Sequence, residues 1–177
     1  MMRIMYIWNR LYYGMFFYHR WTQILYSKIL WIIPISVLYK LGILNKTKYS
    51  RLIRLNKKMI RTLTDEKSSV VLTCTDITIL VLTGSIVWAI ANLISIPIPS
   101  ASLELLDRVP FMIISAILVV LINYFCLWRN NRYLEYFKEF RNSSPLRNTI
   151  WAIISTSTVI IAFVLFLLSF CLKSVVR

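Results

Sequence analysis

The chain has 177 residues, of which 58% are apolar and only 16% are charged, and its mean hydropathy is +0.66. Soluble globular chains are about 45–50% apolar and about 25% charged, so this composition excludes an ordinary soluble domain and indicates lipid as the solvent. The 21 basic residues outnumber the 7 acidic ones, and the net charge of +14 is typical of a protein that contacts an anionic membrane surface.

Three long uncharged segments each have the length of a membrane-spanning helix, which needs about 20 apolar residues. They cover residues 77–96, 109–128 and 150–172. Pro97 and Pro99 follow the first segment, and Pro110 fits the first turn of the second. Asn148 or Thr149 can cap the third. The sequence therefore predicts an all-α integral membrane protein with three transmembrane helices.

The N-terminal region, residues 1–44, is less easily assigned. Only 11 residues separate Lys28 from Lys40, and they cover about half of a hydrocarbon core that is ~30 Å thick. Residues 21–44 are long enough to cross, provided that Lys28 reaches the interface and Pro34 is accepted within the helix. This region is therefore either interfacial or re-entrant, or it contains a fourth span at 21–44.

Basic residues concentrate in two segments, eight of them in 45–75 and five in 129–148. The loop between the first two spans has only Arg108, against Glu104 and Asp107. Cytoplasmic loops collect basic residues, so we expect a multi-pass membrane protein with both basic segments inside and its C-terminus outside. If residues 1–44 stay on the inner leaflet, 18 basic residues lie on the inner side of the membrane and three lie outside. If this region crosses, 13 basic residues lie inside and six lie outside. The charge distribution favours three spans.

Helical periodicity predicts two surface helices. In the first, one face carries Arg3, Tyr6, Asn9, Arg10, Tyr13 and Arg20, while Ile4, Trp8, Leu11 and Met15 gather opposite. Such a helix suits the headgroup plane, or its aromatic residues pack on the protein's own spans. The second, the basic amphipathic helix at 45–67, carries a cationic face of Arg51, Arg54, Lys57, Lys58 and Arg61. This face predicts binding of anionic phospholipid, with an acidic partner protein as the alternative. Nucleic acid is not expected, because stacking residues and a reading motif are missing from this face.

The second basic segment, 129–148, is expected to be a cytoplasmic hairpin loop. Its aromatic residues at i, i+3, i+4 and i+7 spacing are Tyr133, Tyr136, Phe137 and Phe140. The spacing predicts a short helical extension of the preceding span, ended by the residues from Asn142 to Pro145.

Polar residues within the spans form a set with two interpretations, intramembrane packing or a pore lining. The set comprises Gly84, Ser85, Asn92, Asn123, Ser155, Thr156 and Thr158. Gly84 and Ser85 belong to a stripe of small residues that would permit close helix approach, and Asn123 is expected to bond to the hydroxyls at 155–158. Packing is the favoured interpretation.

The residue types that usually carry catalysis are scarce. His19 is the single histidine, the three cysteines are far apart in sequence, and Asp76 is expected to lie hydrated at a span entrance. We therefore expect no catalytic residues, no metal and no cofactor.

Two stretches, YIWNRLYYGMFF near the N-terminus and NYFCLWRNNRYLEYFKEFR after the second span, carry a family resemblance. The chain resembles small, uncharacterised bacterial inner-membrane proteins, some of which are immunity partners of antibacterial toxins. This resemblance implies a non-enzymatic membrane protein that binds a membrane-acting partner, as an immunity or accessory protein of a toxin or secretion system. The alternative is a homo-oligomeric pore-forming or membrane-disrupting effector.

Overall fold

The computed structural model describes residues 2–67, 70–95 and 109–175, and in this part of the chain the backbone is helical with no β-strand. The helices are α1 (Met2–Ser27), α2 (Ile33–Lys40), α3 (Lys46–Leu63), α4 (Val70–Ser95), α5 (Val109–Asn123), α6 (Arg132–Arg141) and α7 (Pro145–Val175). The all-α prediction is therefore confirmed for these residues. Pro97, Pro99 and the acidic loop up to Arg108 lie outside the described residues.

Within residues 2–67, 70–95 and 109–175, four helical segments are long and apolar enough to cross a membrane. They are Arg3–Lys40, Val70–Ser95, Val109–Arg141 and Pro145–Leu172. α4 packs along α7, α5 packs against α4, and α1 packs against both α4 and α7. We call the end at which α4 and α7 begin, and at which α5 is followed by α6, the basic end of the bundle. The architecture is compatible with a multi-pass membrane protein.

The exposed and buried residues are distributed as expected for a protein in lipid. Large aliphatic side chains such as Ile153 and Leu168 are exposed, whereas Thr75, Thr83 and Ser155 are buried between helices. In water this distribution would expose a wide apolar surface, whereas the exposed apolar patches of soluble monomers are small. Lipid removes that penalty, and small polar residues then allow close helix contacts.

The aromatic N-terminal helix α1 packs against the other helices through residues of both its polar and its apolar face. Asn9 and Arg10 are fully buried, Leu11 and Met15 of the opposite face are 7% and 1% exposed, and Ile4 is 69% exposed. Of the two interpretations of this helix, the structure supports packing on the protein's own spans. Part of the polar face that the periodicity assigned to headgroups is therefore turned inward. Asn9 donates to the carbonyl of Cys126, just after α5, while Arg10 bonds to α7 and Tyr13 packs on α6.

Gly14 makes the close contact between α1 and α7 possible. A Cβ atom at this position would stand 2.6 Å from the carbonyl oxygen of Trp151 and closer still to Ser155 Oγ. Backbone cannot yield to such an overlap as a flexible side chain can. The helix-weakening glycine of α1 is thus required by packing. Packing does not require the glycine at position 84, since an added Cβ would meet no atom within 4 Å.

Helix α1 continues into α2 through a π-helical turn, Lys28–Ile32, which precedes Pro34. The N–H of Ile33 donates to the carbonyl of Lys28, five residues earlier. Proline has no N–H and clashes with the preceding turn of an α-helix, and a wider turn is a common way to accommodate it. Helical structure therefore runs from residue 2 to residue 40 without a loop.

The chain has a kink between α5 and α6. Asn130 and Asn131 both adopt the left-handed conformation, with φ angles of 58° and 52°. Asparagine tolerates this region better than most residues do. As predicted, residues 132–141 continue the helical structure that follows the second span and end before Asn142. The two asparagines add a kink, so that α6 is a separate helix, and it contacts α1.

Helix α7 begins earlier than its apolar segment suggested. Pro145 opens it, and Ser144 Oγ accepts a hydrogen bond of 3.3 Å from the backbone N–H of Arg147. Ser144 thus occupies the capping position that Asn148 or Thr149 was expected to fill. Asn148 is instead buried inside the first turns and is available for a tertiary contact.

We predict that Gly14→Ala lowers the free energy of unfolding in detergent by about 1–3 kcal/mol, the usual cost of overpacking. Gly84→Ala is the matched control, because it makes the same chemical change in a helix with open space around the new methyl group. Thermal or denaturant unfolding of the two purified variants measures the difference. Equal stability of both variants would contradict the close contact of α1 with α7.

Candidate functional site: buried polar contacts and the cationic helix

A single buried guanidinium anchors α1 to the basic end of the bundle. Nη2 of Arg10 donates a hydrogen bond of 3.2 Å to Oδ1 of Asn148. The guanidinium carbon lies 4.4 Å from the ring centroid of Phe140 and 5.5 Å from that of Trp151. Aromatic faces attract a cation, and the attraction strengthens where water is excluded. Arg10 therefore joins α1 to α6 and α7 through neutral partners.

Around Arg10, α1 and α6 form an aromatic layer. Its members are Tyr6, Tyr12, Tyr13 and Phe16 on α1 and Tyr133, Tyr136, Phe137 and Phe140 on α6. Tyr13 meets Phe137 edge-on at 4.9 Å between centroids, and Tyr6 meets Phe140 at 5.3 Å. Edge-to-face pairs at such distances are favourable beyond the area they bury. This layer packs the N-terminal helix against the second basic segment.

Asp76 provides a second anchor at the same end. Its Oδ1 accepts a hydrogen bond of 2.5 Å from the Tyr12 hydroxyl and one of 3.0 Å from Nε1 of Trp128. The carboxylate thus links α4, α1 and the π-helical turn Tyr124–Trp128 that follows α5. Two residues further along α4, the hydroxyl of Thr78 lies 3.1 Å from Nε2 of His19. Both titratable side chains therefore have structural partners.

Asn123 lies at the centre of the bundle and is fully buried. Its Nδ2 donates to the Thr83 hydroxyl at 2.9 Å, and its Oδ1 accepts from Nε1 of Trp8 at 3.3 Å. The expected bond to the hydroxyls at 155–158 is not among these contacts. The packing of α4 against α5 brings Thr83 to Asn123, whereas α7 packs against α1 and α4.

The hydroxyls on α7 bond to their own helix. Ser155, Thr156 and Thr158 each donate to the carbonyl four residues earlier, at 2.6, 2.9 and 2.8 Å. Ser155 is buried against Gly14, while the other two are half-buried and line apolar clefts.

Asn92, which the sequence left without a named partner, donates a hydrogen bond of 3.2 Å from Nδ2 to the hydroxyl of Ser169. This contact joins α4 to α7 far from the basic end. Nearby, Ser85 is buried, but Gly84 lies half-buried beside a cleft shared with Trp88 and Phe166. The close approach expected at Gly84 is therefore made at Gly14 instead.

The cationic face of α3 is exposed along its whole length. It comprises Arg51, Arg54, Lys57, Lys58 and Arg61. Among the residues that the structure describes, none of these five is in an ion pair; the described pair joins Arg141 of α6 to Glu66. The face is thus available to an anionic surface.

Several residues that organise the site were not singled out by the sequence. Arg10 was assigned to a polar face directed at headgroups, Asn148 was taken as a cap, and Trp8 was assigned to the apolar face. The available signal is Gly14, because a glycine weakens an exposed helix and is useful where two helices approach closely.

We predict that Tyr12→Phe lowers the free energy of unfolding by about 1.5–3 kcal/mol, the usual contribution of a hydrogen bond to a charged group. The substitution keeps the ring and removes the hydroxyl that donates to Asp76. Tyr39→Phe is the control, since the Tyr39 ring stacks on Tyr49 at 4.4 Å and would be preserved. Denaturant unfolding in the same detergent compares them. A similar small effect in both variants would show that Asp76 does not anchor α1.

Comparison with protein-family models, with curated protein sequences and with solved structures finds no match to this chain. Support for a function therefore comes from the chemistry and geometry of its own residues.

Proposed function

We propose that this chain is a non-enzymatic protein of the bacterial inner membrane that binds a membrane-acting partner, as an immunity or accessory protein of a toxin or secretion system. The observation that supports binding is an apolar cleft of about 450 Å³ between α4 and α7. Its walls include Ile90, Leu93, Ile161 and Leu165, all of them about half exposed. An apolar helix of a partner in the bilayer has the side chains that such a cleft accepts.

The polarity of the cleft supports an apolar occupant. Thr158 lines it, but the Thr158 hydroxyl already donates to the carbonyl of Ile154. Ser169 also lines it, with its oxygen accepting from Asn92. Few hydrogen-bonding groups therefore remain for a polar ligand. Packing of apolar side chains is what holds helices together in lipid, where the hydrophobic effect between helices is small.

The alternative, a homo-oligomeric pore, finds less support. A water-filled path needs polar side chains that face it. Asn92 is 2% exposed, and Asn123 and Ser155 are fully buried, with their polar atoms bonded inside a single chain. These residues would have to lose their present partners in order to line a path between copies.

The proposal predicts that expression of the chain alone leaves the membrane potential of a bacterial host unchanged, and that co-expression with a membrane-acting toxin from a neighbouring gene preserves growth. A potential-sensitive dye and viable counts measure the two effects. Depolarisation by the chain alone would favour the pore and overturn the proposal.

Two leucine variants test the cleft itself. Leu165→Trp fills the cleft between α4 and α7 and should abolish protection, because a bulky ring occupies the space of the partner. Leu167→Trp is the matched control, since Leu167 is also about half exposed on α7 and is not among the residues that line this cleft. Both proteins should reach the membrane in equal amounts by immunoblot. Equal protection by both variants would place partner binding elsewhere.

A further inference from the structure

Residues 27–63 form a tightly joined helical hairpin, which we call the basic hairpin. Its two arms are the π-helical turn with α2, and α3, which runs back beside them. Near the base, the Ser27 hydroxyl donates a hydrogen bond of 2.7 Å to Oδ1 of Asn56, and both side chains are buried. Near the tip, the Tyr39 and Tyr49 rings stack. The two arms therefore lie side by side over most of their length.

The tip of the hairpin is built to reverse the chain. Gly42 adopts a φ angle of 74°, which a side chain would make unfavourable, and the N–H of Ile43 donates to the carbonyl of Leu38. Asn45 then caps α3 by accepting a hydrogen bond of 2.9 Å from the N–H of Lys48. The reversal is consequently well defined.

Charge prevents the hairpin from entering the hydrocarbon core. Residues 28–63 contain nine basic residues and no acidic one. Since α3 lies beside the first arm, a crossing by residues 28–40 would carry much of α3 to the same depth. Each uncompensated cation in the bilayer centre is unfavourable, and several together would outweigh the apolar gain of the first arm.

The first arm nevertheless has an apolar surface that nothing in the described structure covers. Leu30 is 64% exposed, Trp31 and Ile33 are more than half exposed, and Leu41 at the tip is 68% exposed. Apolar side chains on one arm and cations on the other match the two parts of a bilayer interface, which are acyl chains and anionic headgroups. An acidic protein surface would pair with the cations but would leave the apolar arm uncovered.

The N-terminal part of α1 stays at the basic end too. Tyr6 contacts Phe140 of α6, and Arg10 bonds to Asn148 in the first turns of α7. Thr64, which follows α3, lines a cleft with Gln23 and Ser27, and the Arg141–Glu66 ion pair ties this linker to α6. The base of the hairpin and the beginning of the chain therefore share one end of the bundle.

We propose that the basic hairpin binds the anionic inner leaflet and that residues 2–67 do not cross the bilayer, so that only α4, α5 and α7 span it. This proposal is independent of the partner proposed above. Four helices have the length and apolarity to cross, but the pairing of the first with α3 removes it from the set.

Cysteine labelling tests the topology. In a chain whose three native cysteines are replaced by serine, single cysteines are placed at Ile4, Ile43, Lys138 and Ser102. Ile4 and Ile43 are exposed positions, Lys138 marks the basic end, and Ser102 belongs to the segment between α4 and α5. With a membrane-impermeant maleimide, positions 4, 43 and 138 should all be labelled in inside-out vesicles, and position 102 in intact spheroplasts. Labelling of position 4 together with position 102 would overturn the proposal.

A fluorescence measurement tests the lipid. An environment-sensitive probe on Leu30→Cys, in the same cysteine-free full chain, is reconstituted into vesicles of phosphatidylcholine alone or mixed with phosphatidylglycerol. Quenching by lipids labelled in the acyl chain should be stronger in the anionic vesicles. Replacing the five cations of the α3 face by glutamine should remove this difference, whereas Lys138→Gln should preserve it.

Two other results of the quenching experiment would contradict the proposal. Quenching that is the same in both vesicles and unaffected by the five substitutions would overturn anionic-lipid binding. Shielding of the probe that appears only at high protein density would assign the apolar arm to a second copy of the chain, and the proposal would fail.

Discussion

The attachment of α1 to the basic end is the interaction on which the rest of the architecture depends. Arg10 lies among Phe140, Trp151 and Asn148, and no carboxylate bonds to it in the described structure. Nη2 bonds to an amide oxygen and aromatic faces lie against the guanidinium, which offsets part of the cost of burying a cation whose Nε and Nη1 have no hydrogen-bond partner in the described structure. If α1 were released, α6 would lose its aromatic partner and the hairpin would lose its base. One buried cation therefore holds α1, α6 and α7 together.

Other polar residues of the bundle also lie where a neighbouring helix can bond to them. Asn123 with Thr83, and Asn92 with Ser169, join helices at two depths, while most of the outer surface is aliphatic. Each such bond contributes little in lipid, on the order of 0.6 kcal/mol. The effect of these bonds is to define which helix faces meet. Because the polar side chains are bonded to one another between the helices, the bundle presents mainly apolar clefts to other molecules.

The two proposals assign different surfaces to different neighbours. The cleft between α4 and α7 offers apolar walls to a helix in the bilayer, and the basic hairpin offers cations to the headgroups beside it. A hairpin anchored on the leaflet would limit the rotation and tilt of the bundle, because α3 connects to α4 through a short linker held at Glu66. Orientation by lipid and recognition by the spans are thus compatible roles.

By itself, the sequence determined the all-α class, the apolar segments of α4, α5 and α7, and the cationic face of α3, because length, hydropathy and helical period are local properties. Only the tertiary structure decided the partners. It buried Asn9 and Arg10 of α1, kinked the chain before α6 at Asn130 and Asn131, paired Asn123 with Thr83, and placed the close glycine contact at Gly14 and not at Gly84. The physical reason is that a face has the same periodicity whether it meets water, headgroups or another helix, and only packing distinguishes among them.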